Sequence, residues 1–87
     1  MPIIWYTYIV ECSTGFFYTG ITTDITRRIH QHNTGQGSKY IKHFGGTPVV
    51  LRYIEERLNR SDASKREYEI KQLTRKQKEE LINDKGI

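Results

Sequence analysis

The stretch "FFYTGITTDITRRIHQH", residues Phe16–His32, changes its period part-way along. Up to Ile21 it is rich in aromatic and β-branched residues, the composition of a strand. Beyond Asp24, Ile25 and Ile29 recur at i, i+4, the spacing of a helix. Gly20 stands near the join, and a glycine inside a strand marks either a close backbone approach or the strand's end. Thr23 or Asp24 can cap the helix by accepting its free N–H groups, and Asn33, Thr34 and Gly35 close it. The stretch therefore reads strand, turn, helix. It gathers Tyr18, Arg27, Arg28, His30 and His32 around the join. Whether that is a solvated surface or a site depends on what the rest of the chain brings to it.

Upstream, "IIWYTYIVEC" reads as a strand, and "STG" is short enough to make an antiparallel hairpin with the strand that follows. Alternation puts Tyr6, Tyr8, Val10 and Cys12 on one face and Trp5, Thr7, Ile9 and Glu11 on the other. Phe16, Tyr18 and Gly20 share a face of the second strand. If tyrosine faces meet, Tyr8 and Tyr18 lie near each other, either as cross-strand packing or as paired phenols that need partners.

Downstream, "GQGSKYIKHFGG" is bounded by glycines and reads as a loop with a short helix through Tyr40, Ile41 and Phe44. "TPVVLRYIEER" is a third strand with Pro48 at its start. "NRSDASKREYEIKQL" is a helix capped by Ser61 or Asp62. "TRKQKEELI" opens with Thr74 and Gln77 three residues later, a capping box, and so starts a separate helix. "NDKGI" reads as a frayed tail. The order β-β-α-(α)-β-α-α fits an α+β fold: a three-stranded, mainly antiparallel sheet flanked by helices. Its 87 residues suit one domain, residues 1–87.

Composition narrows the function classes. A net charge of +4 suits an anionic partner such as nucleic acid, an anionic membrane or an acidic protein. A single cysteine, Cys12, excludes an internal disulfide and a zinc-finger pattern, and fits a reducing compartment. "MPIIWYTYIVEC" has neither the basic start nor the cleavage site of a leader, and its apolar run is too short to span a membrane. The expected location is the cytoplasm, with no membrane partner.

Three features stand out of place. Ile25, Arg28, Ile29 and His32 form one stripe, so Arg28 lies beside the face that must pack on the sheet, while Arg27 turns toward solvent. Arg28 and His32, at i, i+4, can converge on one point. Such an arginine either pairs with a carboxylate or aims its planar fork at a phosphate. Glu67 interrupts the stripe Ala63, Ile70, Thr74 of the later helix, and a buried carboxylate is costly unless paired or metal-bound. A Glu67–Arg28 pair and a metal ligand both explain it. Lys39, Tyr40, Lys42 and His43 form a basic, aromatic cluster that fits a nucleic-acid groove or a solvated face. His30 and His32, at i, i+2, do not face each other, which argues against zinc.

"WYTYIVEC" followed by "FYTGITTDITRRIHQHN" resembles the two opening motifs of the GIY-YIG nuclease superfamily. The second motif is Tyr18-Thr19-Gly20. The first is Tyr6-Thr7-Tyr8, in which only the last tyrosine matches. The family's arginine falls at Arg28, its histidine at His32 and its metal-binding glutamate at Glu67. The resemblance runs from Ile3 to about Leu81 and is nearest to small stand-alone bacterial members. It implies a metal-dependent endonuclease that hydrolyses DNA phosphodiesters, with low sequence specificity or a preference for distorted or branched DNA, in repair or recombination. The alternative is a nucleic-acid-binding module of the same fold with little or no catalysis. The implied catalytic set is Tyr8, Tyr18, Arg28, His32 and Glu67, with Mg²⁺ or Mn²⁺ on Glu67. Gly20, Lys39, Tyr40 and Lys42 are implied to contact DNA. A free phenol, with a pKa near ~10, is only about 0.1% ionised at neutral pH. A tyrosine base therefore needs help, and His32 has the better intrinsic pKa. Tyr18 is the favoured base, supported by Tyr8 and His32. A helper protein or a homodimer would supply targeting to so small a module.

Overall fold

A computed structural model describes residues 3–87; Met1 and Pro2, which open the run read for a leader, lie outside the described residues. The expected sheet is present. Strands β1 (Trp5–Glu11), β2 (Phe17–Thr22) and β3 (Val50–Arg57) pair antiparallel throughout, in the order β2-β1-β3. Helix α1 (Ile25–Asn33) follows β2, and helices α2 (Arg60–Lys71) and α3 (Arg75–Lys85) follow β3.

The alternation of β1 divides the core between two faces. Tyr8, Val10 and Cys12 pack with Ile41 and Val49, joined by Ile25 and Ile29 of α1. On the other face Ile9 and Tyr53 pack with Ile70 of α2 and Ile82 of α3. The sheet is thus covered on both sides, and Cys12 is a buried, free thiol. In the hairpin Tyr8 lies opposite Gly20 and Val10 opposite Tyr18, so the two tyrosines are diagonal neighbours with ring centroids 6.5 Å apart. Between β1 and β3 the register slips at Ile9/Val10, leaving Arg52 as the extra residue of a bulge.

The short helix through Tyr40 is one π-turn, Ile41–Gly45, closed by the Gly46 N–H on the Ile41 carbonyl at 2.8 Å. The hairpin turn grips it. The Ser13 and Thr14 N–H groups donate to the Gly46 and Gly45 carbonyls at 3.2 and 3.1 Å, and the Thr14 hydroxyl reaches the Gly45 carbonyl at 2.6 Å. Ile41 is buried while Tyr40 and Phe44 stay exposed.

Several boundaries differ from expectation. The cap of α1 is Asp24, whose Oδ1 accepts from the Arg27 N–H at 3.1 Å. The cap of α2 is Asn59, not Ser61 or Asp62: its side chain accepts from the Asp62 N–H at 2.8 Å, so the helix starts earlier. The Thr74–Gln77 capping box of α3 forms in full, at 3.2 and 2.9 Å. The expected frayed tail is mostly helix. Beyond it the Ile87 N–H donates to the Arg52 carbonyl at 2.9 Å, a group that the bulge leaves free of the ladder. Pro48 precedes β3 rather than opening it, and Phe16 lies just before β2. No helix among the described residues is long and apolar enough to cross a membrane.

Candidate active site

The opening stretch delivers its side chains to one place because β2 and α1 are consecutive and Tyr18, Ile25 and Ile29 pack on the same Tyr8 face of the sheet. Tyr8 is fully buried beneath α1, and its hydroxyl lies 2.8 Å from His32 Nε2. Arg28 Nε donates to the same oxygen at 3.4 Å, and Arg28 Nη1 donates to Gln31 Oε1 at 3.2 Å. The ring of Tyr18 meets the His32 imidazole edge-on, with centroids 5.3 Å apart. Tyr8, Tyr18, Arg28 and His32 are therefore one cluster, as the i, i+4 spacing of Arg28 and His32 predicts.

Gly20 is what makes the cluster possible. A Cβ at that position would lie 2.6 Å from the Tyr8 hydroxyl and 2.8 Å from its Cζ, far inside contact distance. Of the two readings left open for this glycine, close approach is the one realised. Gly37 performs the same service for His32, since its Cβ would lie 2.3 Å from Nδ1. Sequence reading missed Gly37, because it lies in a loop without periodicity. It also missed Gln31, although the i, i+3 spacing from Arg28 marks it.

The hydrogen bonds fix the chemical character of the cluster. His32 is buried, and its ring is pulled down to about 4, first by that burial and then by the Arg28 charge. It is a neutral imidazole near neutral pH. The Ser38 N–H donates to Nδ1 at 3.5 Å, which assigns the ring proton to Nε2 and makes His32 a donor to the Tyr8 oxygen. Burial pushes the Tyr8 phenol up to about 12, with repulsion from Tyr18 and Glu67 added against the pull of Arg28. Tyr8 thus keeps its proton while its oxygen accepts from two sides. Burial also works against the charge on Arg28, but hydrogen bonds to Tyr8 and Tyr18 outweigh it and hold the guanidinium above its ordinary value.

Glu67 arrives from α2, on the opposite layer. Its charge is felt at Tyr8, yet it makes no ion pair with Arg28 among the described residues. Of the two explanations left open for Glu67, the pair with Arg28 is not formed: Arg28 is turned to Tyr8 and Gln31, and Glu67 pairs with Lys71 of its own helix at 3.4 Å. Half-burial and an exposed lysine partner leave the carboxylate open to a second ligand. Among the described residues no three His, Cys, Asp or Glu side chains converge. That donor set does not cage a metal. It suits a Mg²⁺-like ion that keeps much of its water and takes one carboxylate plus substrate phosphate.

Tyr40 extends the cluster outward. Its ring lies 6.3 Å from Tyr18, 6.5 Å from Phe16 and 5.4 Å from Phe44. Lys71 and Lys78 line the same groove as Tyr18 and Tyr40. Lys39 and Lys42 are exposed neighbours of this aromatic row in sequence, with no hydrogen bond or ion pair of their side chains among the described residues. Arg27 and His30 lie on the exposed side of α1.

A family model, the GIY-YIG catalytic domain, matches residues 4–80. The chain belongs to the GIY-YIG family. Relatives include UPF0213 proteins of Halobacterium salinarum, 53% identical over 86% of this chain and 95% of the relative, and of Haloquadratum walsbyi, 49% identical over 91% and 86%. Two solution NMR structures share the fold at 41% identity. The UPF0213 protein of Bacillus halodurans superposes with a TM-score of 0.58, covering 92% of this chain and 83% of that one. A protein of E. faecalis gives 0.63, covering 93% and 84%. GIY-YIG domains are nuclease domains that generally use divalent metal ions, and membership implies contact with DNA.

Proposed function

We propose that this GIY-YIG chain is a metal-dependent DNA endonuclease of the cytoplasm, folded as one domain. It hydrolyses phosphodiester bonds with little sequence preference or with preference for distorted or branched DNA, in repair or recombination. The observation that carries this reading is the Tyr8 hydroxyl, held between His32 and Arg28 in a space that only a glycine at position 20 leaves open. A tyrosine buried merely for packing does not need an arginine and a histidine on its oxygen.

The roles follow from the hydrogen bonds. Hydrolysis adds water to phosphorus and breaks the bond to the 3′ oxygen. Tyr8, protonated and buried, fixes the direction of the Arg28 guanidinium through its oxygen. Arg28 neutralises charge that builds on the nonbridging oxygens. His32 positions Tyr8 through Nε2 rather than taking the water's proton, since its depressed pKa makes it a poor base. Tyr18, less buried than Tyr8, is the group left to accept that proton as it passes its own along. Glu67 would hold the Mg²⁺ or Mn²⁺, which when bound supplies charge to polarise the phosphate and aid the leaving oxygen. Lys39, Tyr40 and Lys42 would contact the DNA beside the reacting phosphate, and a helper protein or a second copy would direct the module to its target.

The burial of Tyr8 and His32 supports a second reading, a DNA-binding module with little catalysis. Supercoiled plasmid with Mg²⁺ or Mn²⁺ separates the two. Nicking by the wild type that disappears in Glu67→Ala supports the enzyme. Equal nicking in both samples points to a contaminant. Binding without nicking leaves the module.

A further inference from the structure

We propose that Arg27, Arg28 and Arg60 form a second phosphate subsite, which holds the DNA backbone beside the phosphate that reacts. This rests on the reading of the chain as a DNA-binding member of its family, though not on catalysis. The three arginines line one hollow of about 340 Å³ at the end of β2, together with Trp5, Thr22 and Gln31. They come from two helices on opposite faces of the sheet, so local sequence does not explain their meeting. None of the three enters an ion pair among the described residues, whereas Arg57, Arg66 and Arg75 each do. The one carboxylate lining the hollow, Asp24, is engaged as the cap of α1. Three unpaired cations in one recess repel each other unless an anion joins them.

The recess is continuous with the candidate active site through Arg28, whose Nε serves Tyr8 while Nη1 donates to Gln31, a residue of the hollow. Arg60 lies over the Trp5 ring, 5.7 Å from its centroid, a placement that orients the guanidinium without neutralising it. At the opposite end of the same edge strand, Tyr18 and Tyr40 line a groove with Lys71 and Lys78. A strand of DNA laid along β2 therefore meets cations at both ends, with Tyr18 beside one of them. Arg27, a bystander if judged by its outward position on α1, becomes part of the track.

Trp5 is the only tryptophan, so its emission reports on Arg60 directly. The test measures binding of a short labelled DNA duplex in EDTA at several salt concentrations, for wild type, Arg27→Ala, Arg60→Ala and the control Lys65→Ala. Arg27→Ala and Arg60→Ala should each lower the slope of log K against log salt by about 1, with binding several-fold weaker at low salt. Lys65→Ala should keep the wild-type slope. DNA should change the Trp5 emission, and Arg60→Lys, which keeps the charge but not the fork, should restore only part of the affinity lost in Arg60→Ala. Unchanged slopes in both arginine variants overturn the subsite. Inorganic phosphate alone changing Trp5 emission while DNA does not would mark a small-anion site and also overturn it. Slopes that fall as expected in a protein that never nicks DNA would sink the enzyme reading and leave the subsite standing.

Discussion

At Gly20 a single missing carbon decides whether Tyr8 can point its hydroxyl at Arg28 and His32. Gly20→Ala should therefore harm the site more than the fold. Overpacking of this kind costs about 1–3 kcal/mol, which urea unfolding will measure. Plasmid nicking should fall by far more than that loss of folded protein explains, because the phenol is displaced. Nicking that falls only in proportion to unfolding would remove Gly20 from the site. Arg28→Ala, which takes away one proposed donor to the phosphate, should lower nicking by about 100-fold or more with the fold intact by circular dichroism.

His32 gives a prediction with a sign. Its ring titrates near 4 in the folded protein against 6.5 when free, so the unfolded chain takes up the proton first as pH falls. The stabilising contribution is complete above the unfolded value and is lost as pH drops toward the folded one. Urea unfolding near pH 7 and near pH 5 should differ by about 2 kcal/mol from this residue. The difference should shrink in His32→Gln relative to wild type. An equal difference in both proteins would mean that His32 does not titrate as its burial requires.

At the scale of elements, the chain's own punctuation sets most boundaries, and the errors cluster where two residues compete for one role. The Thr74–Gln77 box was legible because both halves of the motif are local. Asn59 was not, because Ser61 and Asp62 are equally good caps in isolation and β3 decides where the chain turns. Asn59→Ala should cost about 1 kcal/mol in thermal or urea unfolding. Loss of the same size from Ser61→Ala, with Asn59→Ala silent, would move the cap back to where composition alone puts it. The tail was misread for a related reason. Asn83, Asp84 and Gly86 look like a terminus, yet Ile82 buries against Ile9 and Tyr53 and the end of the chain reaches the Arg52 carbonyl. The π-turn is least legible of all, since the groups that hold it come from a hairpin distant in sequence.

At the scale of the molecule, the site is split between layers, and that limited what sequence could say of it. Tyr8, Tyr18, Arg28 and His32 were legible because β1, β2 and α1 are neighbours along the chain with clear periods. Glu67 was visible only as an interruption in an apolar stripe, and the choice between an Arg28 pair and a metal ligand stayed open because spacing within α2 does not reveal which layer α2 joins. The carboxylate and Arg60 both depend on α2 staying docked. Ala63 and Ile70 are its two buried side chains. Ala63 adds a carbonyl that accepts from the buried Thr7 hydroxyl at 3.0 Å. Ile70→Ala should cost about 2–5 kcal/mol, a large share of the roughly 5–15 kcal/mol that small domains have in total. Where enough folded protein remains, nicking should be lost along with DNA affinity, because the proposed metal carboxylate and one arginine of the proposed subsite loosen together. Ile29, an α1 side chain packed on the other face of the sheet, provides the contrast. Ile29→Val, a milder change, should leave the α2 groups in place and retain nicking in proportion to the folded fraction. Thermal unfolding followed at Trp5 beside circular dichroism resolves the two cases, since Trp5 lies against Arg60 at the start of α2. If Trp5 reports no change before the whole fold melts in Ile70→Ala, α2 is not an independent element, and the site's two halves stand or fall as one.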